Sequence, residues 1–339
     1  MADRVLLTGI SGFLGGHVAL QLLNAGYVVR GSVRDLAKAS KVEATLKRAG
    51  ADTSRLEFVA LNLSGDAGWT DAMGGVRYLQ HTASPFVTSM PADKMELIGP
   101  AVEGTERALG AALKAGIERV VLTSSVAAIV YGHDKSRTRF TADDWTDVNG
   151  YGVSAYIESK TRAEKRAWEI METAGRRESL VTINPALILG PLLDDDPGTS
   201  AAIIQRMLNG SVPAAPRIAL PIVDVRDVAA LHVAAMTAPG VGGQRLGISE
   251  GTLPMIDIAR AIGKALPEAS RKRPRLQVPD WATRLYSLID SEARSNLSEL
   301  GMFRTLDSTP ARTLLNRPLI DAREAAIACA KSLIAEKLI

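Results

Sequence analysis

Tyr156 and Lys160 stand four residues apart in a stretch, Ala155 to Thr173, that reads as a strong helix. That spacing puts both side chains on one helix face. A tyrosine phenol has an ordinary pKa near ~10 and exchanges protons poorly at neutral pH. A lysine cation beside it stabilises the phenolate and brings that value down, which makes an acid–base catalyst of it. The pattern by itself is thin, because the chain has six tyrosines and Tyr131 with Lys135 repeats it. That second pair lies in the polar stretch His133 to Arg139, without helical periodicity, and is not read as catalytic. A third group comes from the apolar run Arg119 to Thr123, which ends in Ser124-Ser125. Small hydroxyl residues at a strand's carboxyl end sit where an α/β sheet takes its ligand. A serine there can share a substrate carbonyl with Tyr156; capping of strand-end backbone groups is the competing role.

Phosphate chemistry is written at the other end of the chain. Residues 4–16 read Arg-Val-Leu-Leu-Thr-Gly-Ile-Ser-Gly-Phe-Leu-Gly-Gly, and His17 to Leu23 follows with an apolar face at helical spacing. Strand, glycine turn and helix in this order bring backbone N–H groups and a helix N-terminus up to a pyrophosphate. Gly9, Gly12 and Gly15 fall at three-residue spacing, which differs from G-x-G-x-x-G and is not decisive alone. The next strand, Tyr27 to Val33, ends in Arg34-Asp35, with Arg30 before it and Lys38 and Lys41 after. An acidic residue at this place bonds a free ribose 2′-hydroxyl, whereas an arginine accommodates a 2′-phosphate. The cationic cluster, with the bidentate fork of Arg34, therefore points to NADPH. Asp35 leaves two readings open: it neutralises Arg34 or it turns to a ribose.

These groups need a scaffold, and the rest of the pattern supplies one. Apolar runs at Leu56 to Leu61, Tyr78 to Thr82, Arg119 to Thr123 and Leu180 to Ile183 alternate with helical stretches at Leu36 to Ala49, Leu97 to Ala115 and Ala155 to Thr173. Continuous rather than alternating apolar strands belong to a parallel sheet covered on both faces. The expected fold is α/β, a doubly wound parallel sheet (Rossmann) over residues 1–190, to which 222–250 returns. Residues 191–339 are expected to form mainly a smaller, discontinuous C-terminal substrate lobe, with the substrate between sheet and lobe. Asp194-Asp195-Asp196 reads as a solvated turn, and no metal site is expected there or among the four histidines.

Composition excludes several classes. Aromatics are 4% of the 339 residues, too few for a base-stacking surface, so no nucleic-acid partner is expected. The net charge of +3 sets no partner, and the basic run 271–275 reads as a solvated loop. Cys329 is the single cysteine, which rules out a disulfide within the chain and reads as a small buried apolar residue. The N-terminus lacks signal-peptide character and no apolar run is long enough for a bilayer, so a cytoplasmic protein without membrane contact is expected.

Taken together, Thr8-Gly9-x-x-Gly12-Phe13-x-Gly15, the Ser-Tyr-x-x-x-Lys set and Val33-Arg34-Asp35 resemble the extended short-chain dehydrogenase/reductases. The nearest group is similar to the dihydroflavonol reductase-like aldehyde and ketone reductases, which include cinnamoyl-CoA and methylglyoxal reductases. His81-Thr82-Ala83-Ser84-Pro85, Asn184-Pro185, Gly190-Pro191 and Asp224-Val225-Arg226-Asp227-Val228 extend the resemblance nearly end to end. It implies that Gly9, Ser11, Gly12, Phe13 and Leu14 wrap the pyrophosphate and that Arg34 and Lys41 hold the 2′-phosphate. Asn62 and Leu63 border the adenine, although the family often has aspartate at the first of these. Thr82, Ala83 and Ser84 line the nicotinamide ribose, with Thr123 nearby, and Pro185, Ala186, Leu187 and Ile188 pack by the nicotinamide. Ser125 matches the catalytic serine, with Ser124 the alternative. Tyr156 protonates the carbonyl oxygen, and Lys160 holds the ribose hydroxyls and tunes Tyr156. Phe86, Val87 and Val130 are expected to line the substrate pocket with Ser125 and Tyr156. Flavonoid-active relatives carry a polar amide where Val130 stands, so a smaller aldehyde or ketone is expected.

The reading is an NADP(H)-dependent oxidoreductase that reduces a small-molecule carbonyl to the alcohol, as a monomer or homodimer. An NAD-retaining sugar-nucleotide epimerase or dehydratase of the same superfamily is the alternative; Arg34 and the lack of an Asp-Glu pair after Thr123 speak against it. A non-catalytic dinucleotide sensor is disfavoured by the intact Ser125, Tyr156 and Lys160 set.

Overall fold

The structure, a computed structural model, describes residues 2–84 and 93–339. In chain order the first elements are β1 (Arg4–Thr8), α1 (Phe13–Asn24), β2 (Val28–Val33), α2 (Ala39–Arg48), β3 (Leu56–Ala60), a short α3 (Trp69–Ala72) and β4 (Tyr78–His81). Then come α4 (Met95–Lys114), β5 (Arg119–Thr123), β6 (Arg139–Phe140), α5 (Ala155–Thr173), β7 (Leu180–Pro185) and β8 (Leu187–Leu189). The remainder is α6 (Gly198–Asn209), β9 (Ala219–Asp224), α7 (Val225–Thr237), β10 (Arg245–Ile248), β11 (Gly251–Pro254) and α8 (Met255–Ala265). It closes with α9 (Asp280–Tyr286), α10 (Ser291–Ser295), β12 (Thr305–Leu306), α11 (Thr309–Leu315) and α12 (Ala322–Ala335).

Seven strands form one parallel sheet in the order β10-β7-β5-β4-β1-β2-β3. Side chains alternate between its faces. Val5, Leu7, Val121 and Val181 point to one side, against Val18 and Leu22 of α1 and Val228 and Leu231 of α7. Leu6, Leu79, Val120 and Leu122 point to the other, against Leu109 of α4 and Trp168 and Met171 of α5. Both faces are therefore apolar, which is why the strands read as unbroken apolar runs. From β1 the chain winds outward to β3, then crosses back to place β4 on the other flank of β1. Thr8 thus ends β1 opposite Ser32 on one side and His81 on the other. A crevice opens at such a reversal, outside the carboxyl ends of the strands.

β7 runs to Pro185, two residues past the end expected from its apolar run, and β8 starts after one further residue. β8, β9 and β11 make a second, three-stranded sheet. Ile204 and Met207 of α6, Ile258 and Ile262 of α8, and Ala326 and Leu333 of α12 close its core. Cys329 is buried in that core, and burial pushes its thiol up to about 12. From this sheet β9 leads into α7, capped where Asp224 Oδ1 accepts from the Arg226 N–H at 2.8 Å, and β10 then takes the free edge beside β7. Among the described residues no helix is long and apolar enough to cross a membrane.

Candidate active site

The glycine turn is built by exclusion of side chains. Gly9 has φ +75°, and a Cβ there would lie 3.0 Å from the Ala83 backbone. A Cβ on Gly15 would run into the Gly9 carbonyl oxygen. The turn is closed by the Gly12 N–H donating to Gly9 O at 3.0 Å. No side chain caps α1, so its first-turn N–H groups face the crevice unpartnered by a cap, an arrangement that attracts an anion. This cradle fits a dinucleotide pyrophosphate. Ser11, Gly12 and Phe13 line a cleft there with Val42, Thr45, Leu193 and Asp194. Leu14 packs into the main core and Phe13 against the second sheet's core.

A second cleft opens beside it, across the carboxyl ends of β4 and β5. Leu63, His81, Ala83, Ser84, Thr123, Ser124, Lys160 and Glu164 line it. The chain after β4 is tied to the end of β1: Thr82 Oγ1 donates to Thr8 O at 2.6 Å, and the Ala83 N–H donates to Thr8 Oγ1 at 3.3 Å. Thr8 Oγ1 also meets His81 Nδ1 at 2.8 Å. Burial, with Lys160 nearby, pushes His81 down to about 4, so its ring stays neutral. Thr123 Oγ1 turns to His232 Nε2 at 3.0 Å, while His232 Nδ1 meets Gln80 Oε1 at 2.7 Å. The Thr123 hydroxyl is thus engaged with α7.

Ser154 begins α5 by accepting from the Ile157 N–H at 3.3 Å, which sets Tyr156 in the first turn. Tyr156 is 44% exposed. The Lys160 ammonium lies 5.8 Å from its ring centroid and donates to Ser84 Oγ at 2.9 Å. The two serines differ sharply. Ser124 donates to the Glu164 carboxylate through a very short hydrogen bond, facing inward. Ser125 Oγ accepts from the Ala127 N–H at 3.1 Å and keeps its own proton free to donate. Lys135 does not pair with Tyr131; it lies 4.6 Å from the Tyr151 ring. Tyr131 instead carries the Arg304 guanidinium at 4.7 Å, and burial, with Glu299 nearby, pushes its phenol up.

Beneath these groups lies a hub with no counterpart in the sequence reading. Glu164 is buried and accepts from Trp168 Nε1 (3.3 Å), Thr182 Oγ1 (3.0 Å), Asn184 Nδ2 (2.6 Å) and Arg245 Nε (2.6 Å), besides Ser124. Asn184 Nδ2 also reaches Ser125 O at 3.2 Å. Arg245 stacks on Trp145 at 3.6 Å. A carboxylate on the apolar face of α5, between Ala163 and Ala167, was the available signal, since buried charges are nearly always paired.

The cationic cluster in and after β2 is divided among different partners. Arg34 is exposed and makes no hydrogen bond or ion pair among the described residues. Asp35 does not pair with it: its Oδ1 accepts from the Ala37 N–H at 2.9 Å, capping the turn before α2. Arg30 is committed elsewhere, to Glu57 at 3.1 Å and to the carbonyls of Ala72 (2.8 Å) and Gly74 (2.9 Å). Lys41 pairs with Asp195 at 2.5 Å, both side chains staying more than half exposed, so the solvated 194–196 turn carries one ion pair to α2. Asn62 is exposed, its Oδ1 accepting from the Ser64 N–H at 3.0 Å.

Other expected residues scatter. Val130 is 2% exposed and packs with Val126, Ile129 and Phe140; it is not among the residues lining the two clefts above. The 3-10 turn Val126–Ala128 precedes it, and its neighbour Tyr131 is half-buried. Phe86 and Val87 lie outside the described residues. Pro185 and Ala186 are buried at the end of β7, and Leu187 and Ile188 are half-buried in β8. Leu187 packs toward the second sheet's core and Ile188 toward the main one.

Comparison with known proteins gives concordant findings. The profile of the NAD dependent epimerase/dehydratase family matches residues 5–248. A cinnamoyl-CoA reductase of Medicago truncatula is 36% identical over 250 residues, covering 72% of this chain and 75% of that one. The ketoreductase azaE of Aspergillus niger is 34% identical over 332 residues, covering 91% and 95%. The crystal structure of yeast methylglyoxal/isovaleraldehyde reductase Gre2 complexed with NADPH superposes with a TM-score of 0.81 at 26% identity, covering 99% of this chain and 100% of that one.

Proposed function

The chain belongs to the NAD dependent epimerase/dehydratase family, and from that premise we propose that it is an NADPH-dependent reductase of a small aldehyde or ketone in which Tyr156 is the proton donor. The relatives named above reduce carbonyls, and one of them is a complex with NADPH. The observation that carries the reading is the half-open Tyr156 with the Lys160 ammonium 5.8 Å from its ring.

Bound NADPH supplies a hydride to the carbonyl carbon. The protein's part is to hold the nucleotide and to meet the negative charge that gathers on the carbonyl oxygen. Tyr156 gives that oxygen its phenolic proton. The Lys160 cation stabilises the phenolate left behind, and its bond to Ser84 holds it at the ribose side of the cleft. Ser125 donates a second hydrogen bond to the same oxygen; the Ala127 N–H on its lone pair favours that donation. Ser124 is unsuited to this role, because its proton already goes to Glu164. Arg34, exposed and unpartnered among the described residues, meets the 2′-phosphate, which disfavours a resident NAD and the epimerase alternative.

The test is absorbance at the nicotinamide band with NADPH and with NADH, against aliphatic, aromatic and α-dicarbonyl compounds. NADPH consumption with at least one class is expected, and none with any would sink the proposal. Tyr156→Phe should lower turnover by about 10²- to 10⁴-fold, the usual contribution of a positioned acid, with NADPH affinity retained. Normal turnover in that variant would move the proton donor elsewhere.

A further inference from the structure

The segment after β8 does more than connect two sheets. It crosses from the second sheet to the glycine turn and ties down on α2. Arg48 Nη2 donates to Leu193 O at 2.6 Å. Leu193 reaches the glycine turn, where a Cβ added to Gly16 would lie 3.3 Å from Leu193 Cδ1. Asp194 lines the cleft beside Ser11 and Gly12. Asp196 stays within its own loop, accepting from the Gly198 N–H at 3.0 Å. At the strap's outer edge Asp195 pairs with Lys41 at 2.5 Å. Both side chains are more than half exposed, and each holds the other in its charged form: Lys41 lowers the Asp195 carboxyl and Asp195 raises the Lys41 ammonium.

We propose that Asp195 is a specificity-determining residue for the dinucleotide: it is an internal competitor for Lys41, which a 2′-phosphate must displace to be bound. The inference rests on the reading that this crevice takes NADPH with its 2′-phosphate at Arg34 and Lys41. The chemistry is an exchange of anions on one cation. A phosphate arriving at Lys41 meets a carboxylate already in contact, and the two repel. One of them must leave, and Asp195 is the mobile one, because Arg48 and Leu193 anchor the strap without it. A dinucleotide without the 2′-phosphate leaves the ion pair intact. Asp195 therefore weakens NADPH binding and does nothing to NADH. It also keeps Lys41 oriented at the mouth when no nucleotide is bound.

The experiment measures dissociation constants of the full chain at fixed ionic strength for NADPH, NADH, and the fragments 2′-AMP and 5′-AMP. Asp195→Asn should tighten NADPH and 2′-AMP about two- to fivefold, the range an exposed ion pair commands, and leave NADH and 5′-AMP unchanged. The urea midpoint should stay with the parent, since the strap keeps its other ties. In a Lys41→Ala background the same substitution should change nothing. Equal tightening of NADPH and NADH, no change in NADPH, or an effect that persists without Lys41 would each overturn the competition. If the parent binds NADPH with no preference over NADH, the cofactor reading itself fails; if it prefers NADPH and Asp195→Asn is silent, only the competition fails.

Discussion

The Glu164 hub invites the most exacting test. Glu164→Gln keeps the shape and removes the charge. Glu164 Oε1 accepts from Trp168, Thr182 and Arg245 Nε, and Oε2 from Ser124, Asn184 and, at 3.3 Å, Arg245 Nη2. An amide retains one oxygen. Whichever way it turns, its NH₂ meets two or more donors, and only the hydroxyls can rotate to accept. Arg245 loses its counter-charge while 9% exposed. It keeps the Ala142 carbonyl at 2.5 Å, that of Asp144 at 2.6 Å and, marginally, that of Ala128 at 3.4 Å. Breaking a buried pair from one side costs about 3–5 kcal/mol, and the retained carbonyls place this case near the lower figure. Urea unfolding of the parent, Glu164→Gln, Arg245→Met and the double variant measures it. We expect a loss of about 3 kcal/mol in the first single variant and a double variant well short of the sum, because each single change strands the other charge. A loss below about 1 kcal/mol, or simple additivity, would refute the hub. Turnover should fall as well, since Asn184 links Glu164 to the Ser125 backbone. NADPH affinity should hold, because the glycine turn and Arg34 have no bond to the hub.

Arg34→Ala should weaken NADPH about ten- to a hundredfold, the worth of a charge-assisted bond to phosphate, and NADH hardly at all; equal losses in titrations of both nucleotides would remove Arg34 from the 2′-phosphate site. Stability should fall on mild acidification. His81 and His232 are buried neutral, with values pushed down to about 4 and about 3 from an ordinary 6.5, so the unfolded chain takes up protons that the folded one refuses. Their contribution is complete above pH 6.5 and shrinks as pH drops toward 4 and 3, by about 2 kcal/mol each at pH 5. Urea midpoints at pH 7.5, 6 and 5 read this, and a flat series would contradict the buried neutral rings.

Some of this was legible along the chain and some was not. The sheet was legible because each strand is buried on both faces, so a continuous apolar run such as Val120-Val121-Leu122 betrays it without knowledge of its neighbours. The glycine turn was legible because its requirement lies in the backbone: Gly9 needs a positive φ and Gly15 must clear the Gly9 carbonyl, both within seven residues. That Tyr156 and Lys160 share one helix face was legible because one helical turn carries both. What tertiary structure alone decided is where polar side chains point when their partner is distant in the chain. Ser124 turns inward because Glu164, forty residues on, takes its proton. Lys41 is held by Asp195, which is 154 residues away, and Arg30 by Glu57 on the neighbouring strand. Val130 is buried against Phe140 of β6. Local spacing constrains backbone conformation and helix faces; the assignment of a charge or a hydroxyl depends on desolvation and on the nearest opposite group, and those exist only once the sheet has brought its strands together.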